Sequence, residues 1–153
     1  MDYRKTNGKI YLRVDKGEEV LQTIREVCKK ENIASGYFQG IGACDRAVLS
    51  TFIPQENDFI HHELSGMLEM IALSGNISRD TVRYTKEENE LFLHAHATFS
   101  YLKDEENHEV CVTAGHIKEA RIGYTGEIII NICDEAIERM IDEKSGIDIW
   151  KLK

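Results

Sequence analysis

Three histidines form the one constellation in this chain whose residue types and spacing could hold a metal ion. His94 and His96 stand in Leu93-His94-Ala95-His96-Ala97, and His116 follows Gly115 after nineteen intervening residues. Successive side chains of a β-strand point to opposite faces, so His94 and His96 would share one face. A third histidine on a neighbouring strand could converge on the same ion. The alternative is that all three are polar residues on a half-exposed sheet face.

Zinc chemistry explains why this spacing is useful. Neutral imidazole binds Zn²⁺ at roughly 2.0–2.1 Å, and three protein ligands with an open water position are typical of catalytic zinc sites. Residues 91–101 favour a strand, because one face would be uniformly apolar and the face with the histidines mostly polar. His94, His96 and His116 are therefore the candidate ligands of Zn²⁺.

Two acidic residues inside apolar strands are candidates for proton transfer beside such a metal. Glu69 lies in Met67-Leu68-Glu69-Met70-Ile71, and Glu127 precedes Ile128-Ile129-Ile130. A carboxylate in such a strand either faces solvent or is held by a specific partner. Either residue could accept a histidine N–H or act as a general acid or base. Glu69 and Glu127 are therefore the candidate catalytic residues, with a solvent-facing position as the alternative.

The glycine-rich segment Gly36-x-x-x-Gly40-x-Gly42 invites comparison with a phosphate-binding loop. It lacks the Lys-Ser/Thr pair of a P-loop, and no helical pattern follows it. Glycines also let neighbouring backbones approach closely in a crowded sheet or at a subunit contact. We favour close backbone approach over phosphate binding.

The elements that would position these residues predict an α+β fold, built on a central, mainly antiparallel β-sheet with one main amphipathic helix. The helix is indicated by apolar residues at helical spacing from Val20 to Cys28, with Asp15 as a candidate N-cap and Lys29-Lys30 in the last turn. An N-terminal strand pair would turn at Asn7-Gly8. Further strand-like runs cover residues 33–44, 47–52, 63–73, 91–101, 110–117 and 127–133, with connections over 79–90 and 103–107.

Length, charge and cysteine content narrow the functional classes. A chain of 153 residues suits a single domain over residues 1–153. The formal net charge of −8, with scattered Lys and Arg, disfavours nonspecific binding to nucleic acid. No apolar run reaches the length of a membrane span, and the N-terminal residues lack the apolar stretch of a signal peptide. Four cysteines without a C-x-x-C pair indicate reduced thiols, and we expect a cytoplasmic location without a membrane partner.

The order and spacing of these segments resemble the PPC domain family, the plant and prokaryote conserved domain also called DUF296. The resemblance rests on the following segments: Arg13 with Gly17-Glu18-Glu19, Gly40-Ile41-Gly42-Ala43, Leu68-Glu69-Met70-Ile71-Ala72-Leu73-Ser74-Gly75-Asn76-Ile77, Leu93-His94-Ala95-His96-Ala97, Gly115-His116, Thr125-Gly126-Glu127-Ile128 and Glu138-Arg139-x-x-Asp142-x-x-x-Gly146. It implies an α+β fold with a mainly antiparallel sheet, and a homotrimer in prokaryotic members. It also implies a tie to a fold group containing acetolactate decarboxylase, whose zinc is held by a similar His-x-His and a later histidine.

Three functions follow from the residues and the resemblance together. The first is a cytoplasmic homotrimer that binds Zn²⁺ and acts on a small-molecule ligand, as a zinc-dependent lyase or hydrolase if it is an enzyme. The second is a DNA-binding regulator, since plant members carry the domain beside an Arg-Gly-Arg-Pro AT-hook. This chain has no such element, and its net charge of −8 disfavours DNA. The third is a non-catalytic assembly module, with residues 36–43 and 67–75 as subunit contacts.

Overall fold

The fold is an extensive β-sheet with one covering helix, seen in a computed structural model that describes residues 1–85, 88, 90–104 and 106–153. Within these residues the elements are β1 (Asp2–Thr6), β2 (Lys9–Asp15), α1 (Val20–Lys30), β3 (Gly36–Ile53), β4 (Asp58–Arg79), β5 (Leu91–Asp104), β6 (Glu109–Ile132), β7 (Glu138–Ile141) and β8 (Asp148–Lys151). All pairings between these strands are antiparallel except a short parallel contact of β4 with β7. The α+β prediction, with a mainly antiparallel sheet and one main helix, is confirmed.

Four long strands close into a ring around the core. β3 pairs with both β4 and β6, and β5 pairs with the free edges of the same two strands. Bulges bend the long strands, for example between Gly40 and Gly42 of β3. The closure places β5 beside β6. The strand that carries His94 and His96 is thereby the neighbour of the strand that carries His116.

The interior of the ring is filled by large apolar side chains. Phe38, Phe99, Leu73, Ile77 and Ile117 are all buried. Each such side chain contributes about 1.5–3 kcal/mol to folding by leaving water. The helix α1 covers this core with a second set of buried residues: Val20, Thr23, Ile24, Val27 and Cys28.

The alternation predicted for residues 91–101 is present in β5. Leu91, Ala95, Ala97 and Phe99 are buried in the core. The histidines alternate with these residues and lie on the outer face of the ring, so the interpretation of one apolar and one accessible face is confirmed.

The helix start differs from the prediction. Glu19 is the N-cap, and its carboxylate accepts hydrogen bonds from the backbone N–H groups of Leu21 and Gln22. Asp15 as N-cap is therefore wrong, because that residue ends β2 and its carboxylate pairs with Arg13 and the N-terminal amine. The predicted placement of Lys29 and Lys30 in the last turn is confirmed.

Several strand boundaries also differ. The runs 33–44 and 47–52 join into the single strand β3 apart from residues 33–35, and the runs 110–117 and 127–133 join into the single strand β6 apart from residue 133. The residues between the predicted strands are accommodated by register shifts in the pairings of β3 with β4 and β6. The hydrogen-bonded ladders therefore continue through these residues. The turn at Asn7-Gly8 is confirmed by positive φ angles of 46° and 74°. Residues 86, 87, 89 and 105, in the predicted connections, lie outside the described residues.

Candidate metal centre

The three predicted histidines meet on the outer face of the ring. His96 lies directly opposite His116 in the register of β5 with β6, and His94 lies two residues earlier on the same face of β5. The ring centroids are 5.3 Å apart for His94 and His96, 5.2 Å for His94 and His116, and 5.4 Å for His96 and His116. One ligand atom from each residue lies within 4.8 Å of the others. Small side-chain rotations could therefore close all three on one ion.

A glycine on the neighbouring strand fixes the backbone that carries this cluster. Gly75 of β4 is the register partner of Ala95. A Cβ atom at Gly75 would lie 2.4 Å from Cζ of Phe38 and 2.7 Å from the carbonyl oxygen of His94. Only a residue without a side chain allows this approach. The packing of β4 on β5 thus sets the position of His94 relative to the core.

The electrostatic surroundings favour neutral imidazoles. Burial lowers the pKa of His94 below its ordinary value of 6.5, and the positive charges of His116, His96 and Arg139 lower it further. Burial also lowers the pKa of His116, with a second contribution from His96. Neutral imidazole is the form that binds Zn²⁺, so these two candidate ligands are in the binding form at neutral pH.

The cluster opens into a cavity of about 760 Å³ with aromatic walls. The ring centroid of Phe59 lies 6.3 Å from that of His116, and the centroid of Phe92 lies 6.4 Å from that of His94. Ser50 of β3 is buried, lines the same cavity and is the register partner of His116. The cavity therefore combines apolar walls with a few polar groups, which is typical of small-molecule sites.

Two arginines form another part of the cavity lining. Arg83 and Arg139 both line it, together with Asp148, the first residue of β8. The Cζ atom of Arg139 lies 4.1 Å from the centroid of Phe92. Arg139 belongs to β7, so the C-terminal hairpin of β7 and β8 contributes to the site.

The two candidate acids do not line this cavity. Glu69 is exposed on β4, opposite Ala43 of β3. Glu127 is exposed on β6 and lines a second cavity of about 950 Å³. That second cavity extends to Ser74, the register partner of His96. The structure thus brings the three histidines together and leaves both glutamates outside their cavity, and the catalytic role of Glu69 and Glu127 stays a prediction.

Part of the cavity lining was not predicted from the sequence. In the sequence, Arg139 stood out only as part of the Glu138-Arg139 segment that resembles the family. No strand and no role in a site were predicted for it. Phe92 shares its strand face with the histidines, so its position could have been inferred from β5 alone. Ser50 gave no signal, because its place opposite His116 depends on the register of β3 with β6.

The glycine segment of β3 behaves as predicted. A Cβ atom at Gly40 would lie 2.6 Å from the carbonyl oxygen of Glu127, and one at Gly42 would lie 2.7 Å from that of Thr125. These glycines let β3 and β6 approach closely, which confirms the interpretation favoured over phosphate binding.

Sequence comparison identifies the family. The model of the Plants and Prokaryotes Conserved (PCC) domain matches residues 1–134, and the chain therefore belongs to this family. The resemblance to the PPC domain is thereby confirmed. The match ends before β7, so the hairpin that carries Arg139 lies beyond it.

Solved structures share the fold over nearly the whole chain. A candidate DNA-binding protein from Bacteroides thetaiotaomicron aligns with a TM-score of 0.83 and 25% identity over 98% of this chain and 96% of its own. A metal-containing protein from Archaeoglobus fulgidus gives 0.77 and 25% over 99% of each chain. A plant- and prokaryote-conserved protein from Pyrococcus horikoshii gives 0.75 and 28% over 98% of this chain and 93% of its own.

Two further findings concern relatives among curated proteins and the helices of this structure. No curated protein matches the chain significantly. Across the described residues, no helix has the length and apolar character needed to cross a membrane.

Proposed function

We propose that this protein binds Zn²⁺ through His94, His96 and His116 and uses the ion to act on a small molecule. The observation that carries the proposal is the convergence of three imidazoles, with ligand atoms within 4.8 Å of one another, at the mouth of a cavity. The structurally similar metal-containing protein from Archaeoglobus fulgidus supports the same interpretation.

The donor set fits zinc. Three neutral nitrogen ligands are a common catalytic zinc set, and they leave a fourth position for water or substrate. When bound, Zn²⁺ would supply Lewis acidity that polarises a carbonyl group or activates water, as in a zinc-dependent lyase or hydrolase. The chain itself contributes apolar walls: the rings of Phe59 and Phe92 flank the histidine cluster beside His116 and His94.

Proton transfer is assigned to one of the two predicted acids. Glu127 is the better placed, because its cavity extends to Ser74, which is the register partner of His96.

Glu127→Gln and Glu69→Gln preserve side-chain shape while removing a proton acceptor. Both variants should keep zinc. In cobalt-substituted protein, the pH dependence of the visible spectrum should change only in the variant whose carboxylate lies near the metal. An unchanged dependence in both would remove both residues from the site.

Metal content tests the central proposal. Protein purified without an affinity tag or chelator should hold about one zinc per chain, and His94→Ala/His96→Ala should lose it. His108→Asn is the matched control, because His108 is exposed and has a positive φ of 53° that asparagine tolerates. Equal zinc in the double variant and the wild-type protein would contradict the proposal, as would failure of the wild-type protein to take up zinc.

We also propose a homotrimer. Its support is a set of large apolar side chains that line the cavity of Glu127 and stay at least half exposed: Tyr11 at 50%, Ile41 at 56% and Ile71 at 50%. Exposed apolar patches of this kind are typical of protein–protein contacts. Ile41 and Ile71 lie in the segments 36–43 and 67–75, which are the predicted subunit contacts of the third function, a non-catalytic assembly module.

DNA binding is the second candidate function. The similar structure from Bacteroides thetaiotaomicron is a candidate DNA-binding protein, which favours it. The net charge of −8 opposes it, because binding to phosphates requires clustered Lys and Arg. It would require a basic groove that forms only on assembly.

We propose a cytoplasmic location because the four cysteines are not paired in disulfides. Cys28, Cys44, Cys111 and Cys133 are all free thiols. Burial raises the pKa of both Cys28 and Cys44 to about 12, which keeps these thiols protonated and unreactive. Free, unreactive thiols are consistent with a reducing compartment.

A further inference from the structure

A buried guanidinium with spare hydrogen-bonding capacity lines the cavity of the histidine cluster. Arg139 is only 6% exposed. Its Nη1 donates to the hydroxyl of Ser78 at 3.2 Å, and its Nη2 donates to the backbone carbonyl of Asp148 at 2.9 Å. Among the described residues, its Nε has no hydrogen-bond partner. A guanidinium has five N–H donors, and leaving them unmet in a buried position is unfavourable.

Within the part of the chain that the structure describes, no carboxylate accepts a hydrogen bond from Arg139, although the negative charges of Asp148 and Asp80 act on it. Its two hydrogen-bond acceptors are an uncharged hydroxyl and an uncharged carbonyl. Asp148 is the one acidic residue among the described lining residues, and its carboxylate pairs with Arg83. Arg83 also pairs with Asp80 at 3.0 Å. Both carboxylates therefore form ion pairs with Arg83, while they act on Arg139 through their charge alone.

Arg139 and the three histidines of the proposed metal centre line the same cavity. The ring of Phe92 is near both groups, with its centroid 4.1 Å from Cζ of Arg139 and 6.4 Å from the centroid of His94. A molecule in this cavity can therefore contact both the guanidinium and the histidine cluster.

We propose that the cavity binds a small carboxylate, with the carboxylate group on Arg139 and a second oxygen directed to the histidine cluster. This inference rests on the proposed zinc site, because the second oxygen needs a ligand position there. A guanidinium presents planar N–H pairs that match a carboxylate, and such charge-assisted bonds are strong in a poorly hydrated site. Stacking on Phe92 holds the guanidinium plane in place.

The cavity is suited to a small ligand of this kind. Its volume of about 760 Å³ lies within the range of small-molecule pockets, and its walls include Phe52, Phe59 and Phe92. Arg139 lies beyond the PCC match, which ends at residue 134. The ligand class is inferred from Arg139 on the C-terminal hairpin.

Calorimetric titration with a charged and an uncharged probe tests the proposal. Pyruvate and pyruvamide have similar shapes, but only pyruvate carries a carboxylate. Zinc-loaded wild-type protein should bind pyruvate at least about tenfold more tightly than pyruvamide, the size of one charge-assisted contact. Arg139→Gln should abolish this preference. Arg121→Gln should keep it, because Arg121 is a half-exposed arginine that pairs with Asp45 on the surface.

The titration of wild-type protein and one further titration of zinc-free protein distinguish failure of the zinc site from failure of the carboxylate inference. If Arg139→Gln fails to fold, the comparison of pyruvate with pyruvamide on wild-type protein still decides: equal binding, or binding of neither, overturns the proposal. The titration is repeated on zinc-free protein, where the same charge preference should persist at lower affinity. Failure to take up zinc contradicts the proposed function alone. Zinc uptake without a preference for pyruvate contradicts the carboxylate inference alone.

Discussion

His96 and His116 lie directly opposite each other on two antiparallel strands, with ring centroids 5.4 Å apart. The register of β5 with β6 fixes this relationship, and His94 joins it from the same face of β5. An ion bound by all three side chains would connect the two strands. Metal binding and the stability of the folded state should therefore be linked.

Zinc should stabilise the wild-type protein against unfolding. A ligand that binds only the folded state at a hundred times its dissociation constant contributes about 2.7 kcal/mol. For a chain of this size that corresponds to a rise in Tm of several degrees, at roughly 2–4 °C per kcal/mol. Thermal unfolding with and without zinc should show this rise in the wild-type protein and no rise in His116→Ala. An equal rise in both would show that zinc binds elsewhere.

Acidification should destabilise the zinc-free protein. The pKa values of His94 and His116 are lowered in the folded state, chiefly by burial. Below the ordinary value of 6.5, the unfolded chain therefore binds more protons than the folded chain, and stability falls as pH falls. Tm should decrease between about pH 7 and pH 5, and the decrease should be smaller in His94→Gln/His116→Gln. An identical pH dependence in the double variant would contradict this assignment.

Gly75→Ala should weaken both the fold and zinc binding. The added Cβ would lie 2.4 Å from Phe38 and 2.7 Å from the carbonyl oxygen of His94, so β4 and β5 must separate. Overpacking of this kind costs about 1–3 kcal/mol in the free energy of unfolding, which urea denaturation measures. Gly115→Ala is the control next to His116, because its Cβ would make only ordinary contacts of 3.5 and 3.7 Å. Equal stability of the two variants would show that the β4–β5 approach is not limiting.

Assembly should depend on the exposed apolar residues around the second cavity. Light scattering of the wild-type protein at micromolar concentration should give three times the mass of the 17.5 kDa chain. Ile71→Glu places a charge at a half-exposed apolar position and should shift the mass towards the monomer. Lys103→Glu at an exposed position of β5 is a charge-change control and should leave the mass unaltered. A monomeric wild-type protein would contradict the homotrimer.

Duplex DNA should bind weakly and without a steep salt dependence. The net charge of −8 and the scattered Lys and Arg provide few phosphate contacts. Each contact would add close to one unit to the slope of log affinity against log salt. Filter binding across a range of salt concentrations should show no such slope. A steep slope in the assembled protein would instead favour the regulatory function.

The elements that could be predicted from sequence are those set by local periodicity. The helix was clear because its apolar residues repeat with helical spacing, and β5 because its burial alternates. The N-cap was misassigned because Asp15 and Glu19 are both acidic, and only the course of the chain after Gly17 decides between them. The long strands β3 and β6 were divided because a bulge in a strand and the end of a strand give similar local patterns.

The candidate site was predictable to the extent that it depends on one strand. His94 and His96 share a face by alternation alone, and His116 joined them by residue type and the family resemblance. Arg139 and Ser50 could not be placed, because their approach depends on ring closure and on a C-terminal hairpin with a weak sequence pattern. Non-local pairing, which leaves no local periodicity, determines that part of the cavity.

Zinc binding by the three histidines is tested most directly by anomalous diffraction at the zinc absorption edge, from crystals of wild-type protein grown with zinc. We predict one strong peak in each chain, within roughly 2.0–2.1 Å of a nitrogen from each of His94, His96 and His116. The absence of a peak between these three side chains, or a peak held by other residues instead, would contradict it.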